Sequence, residues 1–142
     1  MDPTPLFTKT FDFVTWLMPV TNTFPRTQRF VVTQRLVDAT LNFYELTLEA
    51  NNLRMPARLE KLELADAELD KMRVYWRLAL KWNWLNPGRY HHGAVMLTEI
   101  GKLLGGWQKA LRKRPGQAAD AELGVSDIEY QVSSAETPSA GT

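Results

Sequence analysis

Cysteine is absent from this chain, so disulfides, thiolate nucleophiles and thiolate metal sites are excluded together, and a reducing compartment, the cytoplasm, is expected. Serine occurs only at Ser126, Ser133, Ser134 and Ser139, near the C-terminal end, so no Ser-His-Asp nucleophile can sit inside a folded body. Histidine is limited to His91 and His92. Adjacent residues on a helix point about 100° apart, which does not suit the i,i+4 pairing of a helical metal site, and two ligands fall short of a zinc shell. Neither histidine has a glutamate three residues before it, because those positions hold Gly88 and Arg89, so the Glu-x-x-His pairs of di-iron bundles are missing. Both are expected as solvent-facing or capping groups at the start of a helix. Gly105-Gly106 carries no phosphate-loop pattern. No catalytic residue, metal or cofactor is expected, and the chain is read as a non-enzyme.

Long apolar runs are also scarce. The opening Met-Asp-Pro has no basic region, and the uncharged stretch from Phe13 to Pro25 is too short to span a bilayer and contains Pro19, so neither export nor membrane insertion is expected. What is present fits one soluble domain: 142 residues, 44% hydrophobic and 23% charged. The expected division is a folded body over 1–115 and a disordered acidic tail over 116–142, where Ser, Ala, Gly, Pro and Glu replace the apolar residues needed to form a core.

The net charge of +1 conceals an asymmetry. Residues 1–70 hold seven bases and ten acids, 71–115 hold ten bases against Glu99 alone, and 116–142 hold five acids and no base. Positive charge concentrated in one region is the footprint of a polyanion partner. The acids Glu60, Glu63, Asp66, Glu68 and Asp70 surround an apolar row and alternate with Lys61 and Lys71, the pattern of a solvated helix face rather than of paired acid catalysis.

Hydrophobic periodicity predicts four helices and no strand. The first covers about Phe7 to Val20, with Phe7, Phe11, Val14 and Met18 as its apolar face, widened by Leu17 and Trp16, and Thr21-Asn-Thr23 as its end. The second opens at Phe24-Pro-Arg and runs to about Leu53, with Phe30, Val37, Leu41, Tyr44 and Leu48 in a stripe. The third starts near Pro56 and carries Leu62, Ala65, Leu69, Met72, Trp76 and Ala79, with Asn86-Pro-Gly88 as its stop. The fourth extends from about His92 to Lys113 with Ala94, Leu97, Gly101, Leu104 and Leu111. Short connections make neighbouring helices antiparallel, so the predicted architecture is an all-α, up-down-up-down four-helix bundle.

Two features stand out. Arg73, Arg77 and Lys81 recur every four residues, and Lys102, Lys109 and Lys113, with Arg112 and Arg114, form a second basic row; Arg89 lies between the two. Such rows neutralise phosphates in a sequence-independent way. Trp82, Trp84 and Tyr90 lie beside them, where bases could stack or a protein partner could dock. The other feature is Gly101, Gly105 and Gly106 inside a helix. Each glycine costs about 1 kcal/mol against alanine there, which calls for a compensating close approach by another helix of this chain or of another subunit. Trp82, Trp84, Gly101, Gly105 and Trp107 are therefore the expected interface residues.

Four motifs in order carry a family likeness: Phe11-Asp-Phe-Val-Thr-Trp-Leu-Met-Pro-Val20, Phe24-Pro-Arg-Thr-Gln-Arg-Phe30, the run from Lys71 to Trp84, and Glu99-Ile-Gly-Lys-Leu-Leu-Gly-Gly-Trp107. Together they resemble the accessory variability proteins of diversity-generating retroelements, four-helix relatives of the rRNA intervening-sequence proteins. The resemblance implies a homopentameric, barrel-like assembly with a basic surface and central channel. It also implies partners, namely the element's reverse transcriptase, its template RNA and possibly DNA, in support of error-prone cDNA synthesis without catalysis of its own. Arg26, Arg29, Arg73, Arg77 and Lys81 match it as basic surface. The rival reading is a structural helical oligomer or a protein-only adaptor whose basic rows bind an acidic partner.

Overall fold

A computed structural model describes residues 1–113. Among these residues the chain is all-α, a four-helix bundle without strands: α1 is Thr4–Thr21, α2 Gln34–Asn51, α3 Ala57–Lys81 and α4 Pro87–Lys113. The acidic tail over 116–142 and Arg114 lie outside the described residues.

Each helix buries a row spaced alternately by three and four residues, the period that keeps one face of a helix toward its neighbours. In α3 the row is Leu62, Ala65, Leu69, Met72, Trp76 and Ala79, as its sequence predicts. In α4 it is Leu97, Ile100, Leu104, Trp107 and Leu111. In α1 and α2 the buried faces differ from the expected ones. Helix α1 buries Leu6, Thr10, Phe13, Leu17 and Val20, while Phe11 is exposed. The run through α2 buries Thr33, Leu36, Thr40, Phe43, Thr47 and Ala50, while Phe30, Leu41 and Leu48 are exposed. The reason is threonine. Thr10 and Thr40 donate their hydroxyls to the carbonyls of Leu6 and Leu36 one turn back, at 2.7 and 2.8 Å, so each is satisfied locally and presents its methyl group to the core.

Helix boundaries also shift. The second helix does not begin as an α-helix at Phe24: Arg26–Gln28 is a 3₁₀ turn and Arg29–Thr33 a π-helical turn, closed by the Gln34 N–H donating to the Arg29 carbonyl. The run Val31-Val32-Thr33 crowds an α-helical backbone, in keeping with the wider turn. At the other junction, Asn86-Pro-Gly88 starts a helix instead of stopping one. Helix α3 ends after Lys81, where Asn83 takes φ 63°. Asn86 then caps α4: its Oδ1 accepts the Arg89 N–H at 2.7 Å, with Pro87 in the first helical position.

The described residues fall into two compact units. The larger comprises 2–46 and 64–103. Its core includes Phe13, Leu17, Leu36, Phe43, Leu69, Met72, Trp76 and Ile100. Here α1 and α4 run antiparallel, as Trp16 contacts His92 while Lys9 pairs with Glu99 at 3.6 Å. Helices α3 and α4 are antiparallel too, with Trp76 bonded to Tyr90 and Arg73 lying against Gly101. The smaller unit contains Met1, Thr47–Glu63 and α4 from Leu104 onward. In it Arg58 closes the end of α2, its Nε and Nη2 donating to the carbonyls of Ala50 and Asn51 at 3.0 Å each. Gln108 Nε2 donates to the Leu62 carbonyl at 3.4 Å, and Lys61 pairs with Glu49 at 3.0 Å.

Candidate nucleic-acid interface

The basic rows begin with the local geometry that holds them. In the larger unit, Trp76 is 1% exposed and meets Phe13 and Trp16 edge-on, with centroids 6.4 and 5.6 Å apart. Its Nε1–H donates to the Tyr90 carbonyl at 3.0 Å, which joins the end of α3 to the first turns of α4. This bond brings the backbones of Arg77 and Arg89 to the same end of the unit. Arg77, Lys81 and Arg89 are exposed there, and none of their side chains has a hydrogen bond or ion pair among the described residues.

Arg73 behaves differently from the other members of its row. Its Nη1 pairs with Asp70 Oδ1 at 3.2 Å, and its guanidinium occupies the space that a Cβ on Gly101 would fill. The close approach expected at Gly101 is thus made by Arg73 of the same chain. Lys102 follows on α4, exposed and unpaired. Lys109, Arg112 and Lys113 belong to the smaller unit, where Arg112 Nη2 meets Glu63 Oε2 at 3.3 Å and the two lysines are exposed. A third basic group, Arg26, Arg29 and Arg35, lies in the larger unit around the 3₁₀ and π-helical turns, exposed and without ion pairs.

The expected interface residues divide. Trp82 is 43% exposed and packs against Trp84, which in turn leans on the buried Phe24, with centroids 5.0 and 5.4 Å apart. Gly105 faces open space, with nothing within 4 Å of a would-be Cβ. Trp107, in contrast, is a core residue, 3% exposed, with the Arg58 guanidinium 6.0 Å from its ring centre. It fills the core of its own chain and is not offered at the surface. Gly93, which the sequence reading passed over, lies against the Trp76 indole so closely that a Cβ would overlap the ring. The signal was available as the only glycine in the early part of α4 facing a core tryptophan, but it required knowing the register of α3 on α4.

His91 and His92 stand exposed in the first turns of α4, His92 with its ring 4.8 Å from that of Trp16. Among the described residues no three His, Asp or Glu side chains come together in a way that would hold a metal ion. No helix among them is long and apolar enough to cross a membrane.

Comparison with solved structures places the fold beside a protein of unknown function from the S23 ribosomal protein family of Bacteroides thetaiotaomicron VPI-5482. The TM-score is 0.69 at 20% identity, covering 77% of this chain and 99% of that one. Comparison with curated proteins finds no match. A family model does match, under the description bAvd-like, over residues 6–111. That span contains all four helical rows and the basic positions from Arg26 to Lys109, and on it the chain belongs to the bAvd-like family, the accessory variability proteins of retroelements.

Proposed function

We propose that this protein is a non-catalytic, nucleic-acid-binding accessory of a retroelement reverse transcriptase, acting in the cytoplasm on the element's template RNA to support mutagenic cDNA synthesis. The observation that carries the reading is the unpaired state of Arg77, Lys81, Arg89 and Lys102 in a region, 71–113, with nine bases and one acid. Unpaired cations remain available to displace counterions from a phosphate backbone. Membership of an accessory family supports a reverse transcriptase as the partner enzyme. The protein works as a homo-oligomer, a pentamer, in which Trp82 and the open surface at Gly105 meet neighbouring subunits. Repetition of the basic surface in a ring multiplies weak contacts into avidity.

The direct test is binding of fluorescently labelled template RNA across a salt series, for wild-type protein and for the Arg77→Glu/Lys81→Glu/Arg89→Glu variant. Affinity and the steepness of its salt dependence should both fall in the variant, with helicity unchanged because the three side chains lie outside the buried row. The variant should also fail to support cDNA synthesis by the partner enzyme, and the wild-type protein alone should show no polymerase or nuclease turnover. Salt-insensitive, RNA-indifferent binding to the reverse transcriptase would favour the second reading, an oligomeric adaptor. That reading draws on the exposed apolar side chains of α1 and α2.

A further inference from the structure

Phe30 is 81% exposed, the largest exposure of any large hydrophobic side chain among the described residues, and it projects from the π-helical turn Arg29–Thr33. A phenylalanine held in water has no stabilising role in its own fold. The turn itself is not a relaxed one: Thr33 Oγ1 is buried with no hydrogen-bond partner, and π-helical turns concentrate at functional positions. The charge along this segment of the chain is of one sign. Between Asp12 and Asp38 the chain carries Arg26, Arg29 and Arg35 and no acid, and all three guanidinium groups are exposed and unpaired.

We infer that Phe30, with Arg26 and Arg29 beside it, is a stacking site for an unpaired base of a single-stranded nucleic acid. The inference rests on the nucleic-acid reading above and specifies which part of the ligand is held here. Arginines fix the phosphates on either side, and the ring offers a flat apolar face that any base can cover without regard to sequence. Duplex nucleic acid has its bases already stacked and leaves Phe30 unused. The site therefore makes the protein prefer unpaired segments of its RNA over helical ones, although its basic rows bind both.

The test uses full-length protein with two labelled probes, an unstructured oligouridine and an RNA duplex of equal length. Replacing Phe30 by Ala or Leu should weaken oligouridine binding on the order of 5- to 150-fold, the usual loss for one base–aromatic stack. The salt slope should stay as it is, since no phosphate contact is removed. Duplex affinity should not change, and Phe30→Trp should restore or exceed wild-type binding to the single strand. The Arg26→Gln/Arg29→Gln variant should instead weaken both probes and lower the slope. If wild-type protein binds both RNAs and Phe30→Ala leaves the single-strand affinity unchanged, the stacking site is overturned while the RNA-binding function stands. If Phe30→Ala changes the oligomeric state or the grip on the reverse transcriptase but not on RNA, the ring belongs to a protein contact and the inference is again overturned. If the wild-type protein binds neither probe, the functional reading itself falls.

Discussion

Gly93 of α4 lies flat against the indole ring of Trp76, which donates its Nε1–H to Tyr90 one turn of α4 away at 3.0 Å. A Cβ at position 93 would overlap ring atoms that are themselves locked by Phe13 and Trp16. The ring cannot retreat without breaking its hydrogen bond. Gly93→Ala is therefore expected to lower stability by about 1–3 kcal/mol, the usual cost of overpacking. Within the subunit Gly105→Ala should behave in the opposite way, being neutral or stabilising by up to about 1 kcal/mol, because a Cβ there meets nothing of its own chain within 4 Å. A loss of stability instead would mark a close subunit contact at that position. Chemical denaturation of the two variants checks both signs in one experiment.

The junction between α3 and α4 gives a second prediction. Asn86 caps α4 through its side-chain oxygen, so Asn86→Ala should cost about 1 kcal/mol, whereas Asn86→Asp retains an acceptor and should cost little. Asn83 holds φ 63°, a region that glycine enters without penalty. Asn83→Gly should be neutral or slightly stabilising, and Asn83→Val should destabilise. Thermal melting of the four variants separates the two effects.

How much of this was legible beforehand follows from which residues fill the buried rows. Helix α3 could be read outright, since every member of its row from Leu62 to Ala79 is apolar. Helices α1 and α2 could not. Thr10 interrupts the true face of α1, and Thr33, Thr40 and Thr47 make that of α2 half polar, so in α2 an outer row, Phe30, Val37, Leu41, Tyr44 and Leu48, looked like the core. Hydroxyls satisfied by the preceding turn leave no trace in composition. The α3–α4 turn was misplaced for a related reason. Asn-Pro-Gly punctuates a chain at either end of a helix, and only the acceptor geometry of Asn86 decides which. The basic rows were found by spacing alone, but spacing could not reveal that Arg73 is engaged by Asp70 and Gly101 while Arg77 and Lys81 stand free.

The outer row of α2 bears on assembly. Leu41 lies outward on α2 at 37% exposure, between the half-buried Val37 and Tyr44, in a helical stripe that its own chain leaves partly uncovered. The proposed oligomer provides a reason for it. Leu41→Glu should leave helicity intact, because the side chain is outside the core, and should shift the protein toward smaller species by placing an unpaired charge in an apolar contact. Sedimentation velocity at micromolar concentration reads the shift directly. An unchanged sedimentation coefficient would move the subunit contact away from the outer face of α2.

The last prediction concerns the 27 residues after Pro115, which carry five acids and no base. The family match ends at residue 111, and Leu111 is the last buried position of α4. Deleting 116–142 removes no member of the rows buried over residues 1–113, and should leave helicity and melting temperature nearly unchanged. The charge changes considerably: with 17 bases against 11 remaining acids, the net value rises from +1 to +6. The segment is tethered directly beyond Lys109, Arg112 and Lys113, so its carboxylates compete with phosphates for those cations at high effective concentration. RNA affinity should accordingly increase on deletion, on the order of a few-fold near 0.05 M salt, and the gain should shrink as the Debye length falls toward about 8 Å at physiological ionic strength. Comparing full-length and truncated protein in the same salt series checks this. A loss of affinity on truncation would show that the acidic segment contributes to binding instead of opposing it, and a large drop in melting temperature would assign it a place in the fold.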